Sequence, residues 1–120
     1  MNRNKTIFKI LTQDEWVDFQ RKGEFEGSEL DQADGFIHMS AETELQGTLD
    51  KYYTPGEFII LLAMKSDKFD TRLKWEESRD GAMFPHFYGA LNLSHVRWRR
   101  QLRADDEGRF DVSDFVGEVK

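Results

Sequence analysis

Two segments of the 120-residue chain gather side chains that can bind or transform a small polar molecule. The first, S-E-L-D-Q-A-D-G-F-I-H-M-S at 28–40, runs an acidic turn into a short strand. Side chains two apart on a strand share a face, so His38 and Ser40 project together, with Asp31 and Asp34 just upstream. An imidazole and a hydroxyl placed this way can hold a ribose or a phosphate, or form a general-base pair. The same residues admit a structural role, with His38 bonded to the acidic turn and Ser40 capping the next helix. That helix N-terminus would itself favour an anion. Asp31, Asp34 and His38 could in principle hold a metal, but their spacing matches no established ligand signature, and no metal is expected.

The second segment is K-W-E-E-S-R-D-G-A-M-F-P-H-F-Y-G at 74–89. It sets Trp75, Glu76, Arg79, His86 and Tyr88 around Gly81 and Pro85, in a stretch that reads as largely irregular. Functional side chains concentrate on such loops. Arg79 offers a planar fork for carboxylate or phosphate, and Trp75 and Tyr88 offer flat surfaces for a base or a sugar. The structural alternative is a loop pinned by Phe84, Phe87 and an Arg79 ion pair. Arg97, Arg99 and Arg100 could meet phosphates or simply form a solvated strand face, and His95 reads as a surface residue in a turn. The chain contains no Walker loop, GxGxxG, G-x-S-x-G or HExxH.

The elements that must position these groups follow from periodicity. Thr6 to Leu11 alternates as a strand. Thr12 and Glu15 form a capping box for a helix over 13–22, with Trp16 and Phe19 on one face, Val17 beside them, and Gly23 as its left-handed stop. Residues 24–35 read as a loop, and 36–39 as a strand with Ile37 and Met39 on one face and Phe36, His38 and Ser40 on the other. Leu45, Leu49 and Tyr52 give a second helix over 41–53 its buried stripe, before a turn at 53–56. Residues 57–64 are apolar on both faces, as in a central strand. Further strands are expected at 72–76, 90–93 and 95–102. In the last, Arg97, Arg99, Gln101 and Arg103 form a wet face opposite Val96, Trp98 and Leu102, and Arg100 interrupts the apolar face.

Composition bounds the chemistry. The length suits one domain over 1–120, ending in an acidic tail at 104–120 that Phe110, Val112, Phe115 and Val116 could dock. The absence of Cys excludes disulfides, thiolate metal sites and a thiol nucleophile. The net charge of −6 argues against nucleic acid as the main partner. The charge is uneven, however: 11–50 hold eleven acids and two bases, whereas 91–103 hold four Arg and no acid. No apolar run approaches a membrane span, and no signal-peptide core is evident, so a cytoplasmic protein is expected.

D-G-F-I-H-M-S at 34–40 and W-E-x-S-R-x-G-x-x-F-P-H-x-Y-G at 75–89 resemble the signatures of the bacterial domain-of-unknown-function 952 family. I-F-K-I-L-T-x-x-E-W at 7–16 and G-S-x-x-D at 27–31 agree, so the resemblance covers about residues 7–102. It implies an α+β fold like that of ADP-ribosyltransferases and RNA 2′-phosphotransferases: a split, strongly bent sheet, mixed or antiparallel, with two main helices. It further implies that His38 and Ser40 lie where that fold handles NAD or a 2′-phosphorylated ribose. Lys9 sits on the first strand, where related enzymes place His or Arg. The resulting expectation is a nucleotide-type ligand (NAD, ADP-ribose or a 2′-phosphorylated ribose), with Lys9, Arg79 and Ser40 on its ribose and phosphates. Trp75, His86 and Tyr88 would line the pocket, with Asp31 and Asp34 nearby. His38, Glu76 and His86 are the candidate catalytic groups, Glu76 by its chemistry rather than by a matched motif. The rival expectations are a non-catalytic metabolite-binding module and a structural or interaction protein without a ligand.

Overall fold

The computed structural model describes residues 5–51, 58–77, 81–106 and 110. β1 (Thr6–Leu11) lies antiparallel to β5 (Phe58–Lys65), in register from Thr6 opposite Lys65 to Leu11 opposite Ile60. β5 pairs on its other edge with β9 (Val96–Arg103), with a bulge between Ala63 and Met64. The short β4 (Ser40–Ala41) covers the outer edge of β1 only at Ile7 and Phe8. Beyond Phe8 that edge carries no strand among the described residues.

A second antiparallel sheet orders β3 (Ile37–His38), β7 (Met83–Phe87) and β6 (Leu73–Glu77), and β2 (Glu24–Phe25) pairs with β8 (Leu91–Asn92). The polypeptide therefore changes sheets between His38 and Ser40. Met39 is the pivot, and its N–H donates to the Pro85 carbonyl at 3.0 Å.

Helices cover both faces of the first sheet. α1 (Gln13–Lys22) puts Trp16 and Phe19 into the cluster formed by Ile7, Leu11, Ile60, Leu62 and Met64. α3 (Glu42–Leu49) puts Leu45 and Leu49 against Phe8, Ile59, Leu61 and Ala63, joined by Phe110. Coverage on both sides explains why β5 is apolar at every position from Phe58 to Met64. α1 has the anticipated bounds: Thr12 and Glu15 cap each other's backbone N–H groups, and Gly23 takes φ 77°. Thr12→Ala should cost about 1 kcal/mol in urea denaturation, and an unchanged midpoint would show that the cap is dispensable.

Several expectations need correction. Residues 24–35 are not a loop. Phe25 pairs with Leu91, and Ser28 opens α2 (Glu29–Asp34) through a capping box with Asp31. Aspartate at the position usually held by Glu or Gln hid that box. The described α-helices therefore number three. The 74–89 stretch holds the β6–β7 hairpin, because Pro85 is accommodated in β7, where its carbonyl still accepts a bond. Ser40 does not cap α3: the N-cap is Ala41, which has no side-chain bond, and Ser40 belongs to β4. α3 ends at Leu49, and Tyr52, the 53–56 turn, Val112, Phe115 and Val116 lie outside the described residues. Val17 is exposed rather than packed.

Candidate functional site

The cleft opens where the two sheets part, beside the uncovered edge of β1. It encloses about 930 Å³, within the range of small-molecule sites. Lys9, Asp31, His38, Ser40 and His86 all line it, so five of the candidate residues converge there. Its apolar wall includes Leu11, Met39, Phe58, Ile59 and Phe84.

Asp31 is the anchor. One turn of helix holds its carboxylate inside the protein, where its side chain is 2% exposed. Oδ2 accepts from Lys9 Nζ at 2.8 Å and from the Ser28 N–H at 2.9 Å. Oδ1 accepts from the His38 N–H at 3.1 Å and faces His38 Nδ1 at 2.6 Å. Burial alone would push this carboxyl up. Lys9, His38 and the Ser28 backbone outweigh it and hold the carboxyl below its ordinary value. Lys9, itself buried, also donates to the His38 carbonyl at 2.9 Å, so its charge is already matched inside the protein.

His38 is clamped from both sides. Nδ1 faces Asp31, and Nε2 lies 3.0 Å from Asp34 Oδ2. Both ring nitrogens are thus engaged by carboxylates. With both ring nitrogens facing carboxylates and Asp31 fully engaged, His38 and Asp31 have no lone pair left for a metal. Among the described residues no group of three His, Asp or Glu side chains is arranged to hold one.

His86 sits opposite His38 in the β3–β7 ladder, with the two rings 5.5 Å apart. Its Nδ1 meets Glu76 Oε1 at 2.8 Å across the hairpin, and the same oxygen accepts from Tyr88 Oη at 2.8 Å. The His86 bond is the main reason that the Glu76 carboxyl lies below its ordinary range, with the Tyr88 bond next. The Tyr88 hydroxyl is correspondingly pushed up. Glu76 is therefore an ionised acceptor that orients His86, and it lies outside the cleft lining, as does Tyr88. His86 Nε2 has no partner among the described residues, although the side chain is only 8% exposed. It is the free ring nitrogen of the cleft.

Two contributors were not anticipated in these roles. Phe36 stacks on His86 at 4.2 Å and also lies 4.6 Å from His38 and 5.1 Å from Tyr88, fixing all three rings. Its place two residues before His38 was the available signal. Thr48, one turn after Glu44, bonds Ser40 Oγ at 3.1 Å and lines the cleft. Helical spacing alone does not reveal a contact made to a strand. Trp75 is elsewhere: it packs on the core, with Lys5 Nζ 6.0 Å from its ring. Arg79 lies outside the described residues. Arg99, Arg100 and Arg103 lie over the rings of Trp16, Trp98 and Phe58, on the exposed β9 edge. His95 is part-buried, stacked on Phe69 at 4.3 Å.

A cleft between two antiparallel sheets, with two carboxylate-held imidazoles, belongs here to a mixed α+β chain of a recognised family. The chain is a member of the family described as "Protein of unknown function (DUF952)", whose model matches residues 10–99. Its fold is similar to the crystal structure of Protein CC0527 from Caulobacter crescentus. The TM-score is 0.87 at 39% identity, covering 93% of this chain and 98% of that one. The solution structure of CC0527 gives a TM-score of 0.79 at 41% identity, over 91% and 94% of the two chains. No curated protein matches. Among the described residues no helix is long and apolar enough to cross a membrane.

Proposed function

We propose that this chain has an ADP-ribosyltransferase-like fold whose cleft takes a nucleotide-type ligand: NAD, ADP-ribose or a 2′-phosphorylated ribose. The observation that carries this reading is the convergence of His38, His86 and the buried Ser40 hydroxyl on one cleft of nucleotide size at the parting of two sheets. His86 is the group suited to act. Its Nδ1 is held by a carboxylate, so Nε2 can accept the proton of a ligand hydroxyl, the geometry of an oriented general base. His38, gripped by Asp31 and Asp34, is suited to electrostatic stabilisation and has no free nitrogen with which to relay a proton. The cytoplasm is the compartment where such ligands are available.

A non-catalytic binding module is the second reading, favoured by the position of Glu76 outside the cleft lining. Calorimetry with NAD, ADP-ribose and a nucleoside 2′-phosphate separates the outcomes. Binding in the micromolar range, weakened about ten-fold or more by His86→Ala, is expected. Binding without any change in the ligand over hours would support the module. No heat at millimolar ligand would end the nucleotide reading.

A further inference from the structure

We infer that the part of the cleft formed by Ser40 and His86 is an array of hydrogen-bond acceptors that receives the free hydroxyls of a ribose and rejects a phosphoryl group. This rests on the nucleotide reading above and deepens it by selecting, among the ligands named there, those with free ribose hydroxyls (NAD and ADP-ribose) over the 2′-phosphorylated ribose.

The direction of each proton is fixed by groups that can only accept. Thr48 Oγ1 lies 3.1 Å from the Glu44 carbonyl, and a carbonyl has no hydrogen to give, so Thr48 is the donor there. Its one proton is then used, and the 3.1 Å contact with Ser40 must run from Ser40 to Thr48. Ser40 Oγ, on a residue 5% exposed, is left with lone pairs alone to show the cleft. His86 follows the same logic. Glu76 is an ionised acceptor, so Nδ1 carries the proton, and whenever the ring is neutral Nε2 presents a lone pair.

Two acceptors favour a partner with two donors, and the vicinal hydroxyls of a ribose provide them. A phosphoryl group offers only acceptor oxygens and negative charge. The lining does not compensate: Asp14, Glu15 and Asp31 face Lys9, Lys51 and His38, and both Lys9 and the His38 ring are already paired with Asp31.

The test has two arms. In the first, the nitrogen shifts of the His86 ring are recorded without ligand, at a pH where the spectrum shows the ring neutral. The proton is expected on Nδ1; a proton on Nε2 overturns the inference. In the second, the affinities of AMP, 2′-deoxy-AMP and adenosine 2′,5′-bisphosphate are compared. AMP should bind about ten-fold more tightly than either analogue. Ser40→Ala should weaken AMP and leave 2′-deoxy-AMP nearly unchanged. Thr48→Val releases the Ser40 proton for donation and should narrow the gap between AMP and the bisphosphate. Equal or tighter binding of the bisphosphate to the unaltered chain overturns the inference while the nucleotide reading survives. If none of the three nucleotides binds but the proton is on Nδ1, the nucleotide reading falls instead. Binding of free ribose then supports the acceptor array, and its failure at molar ribose overturns it.

Discussion

Asp31→Ala destabilises the protein by about 3–5 kcal/mol, the cost of leaving a buried charge without its partner. Four contacts end on this carboxylate, from Lys9, Ser28 and both the backbone and the ring of His38. Its removal strands the Lys9 ammonium, which is 8% exposed. Urea denaturation measures the loss, and a change under 1 kcal/mol would mean that Lys9 finds water or another acceptor. The double variant Lys9→Met, Asp31→Leu recovers the part of the loss that comes from the stranded ammonium, while the Ser28 and His38 N–H groups stay without their acceptor. The pH dependence has a definite sign. The folded carboxyl holds its proton less tightly than the unfolded one, whose ordinary value is 3.8. Its contribution is complete above that value and is lost as pH falls through the lower folded value. Stability should therefore drop below about pH 4, and the drop should be smaller in the double variant.

Glu76→Gln reduces ligand affinity or turnover by roughly 10–100-fold, by analogy with the carboxylates that orient metal-binding histidines. The carboxylate can only accept, and so it keeps the proton on His86 Nδ1. A glutamine amide can donate to Nδ1 and drive the proton to Nε2, placing a donor where the cleft had an acceptor. The same nitrogen spectra that define the resting tautomer report the switch. Tyr88→Phe keeps the carboxylate and removes one bond, so its effect should be several-fold smaller. A switched tautomer with unchanged affinity would remove His86 from the ligand-binding groups.

The sequence was most informative where one local rule decides the outcome. The Thr12 and Glu15 cap, the Gly23 stop and the doubly buried β5 follow from spacing alone. Where long-range pairing decides, local signals mislead. Glu24 and Phe25 form a strand only because Asn92 and Leu91 lie opposite. α2 is six residues long, too short to persist alone, and is held by the Asp31 contacts. The pair Lys9–Asp31 spans 22 positions, and the contact between Glu76 and His86 spans 10. The residue types in both pairs are those of functional groups, but no periodicity links their members. From the sequence alone Lys9 is a cation suited to a phosphate, because a sequence does not display the carboxylate that already neutralises it. The likeness of the motifs to a family was decisive for membership, and the geometry then separated the groups facing the cleft from those behind them.

The anchoring of the cleft has a bearing on how this family can diversify. Lys9, Asp31 and the His38 backbone hold the chain together as well as shaping the site, so exchanging them risks the fold before it alters preference. Leu30, Phe84 and Thr48 border the same space without belonging to that clamp. Relatives that have turned to other ligands should therefore keep the clamp and differ at the border. A survey of their sequences at these positions would sort them by what they bind without altering the frame they share.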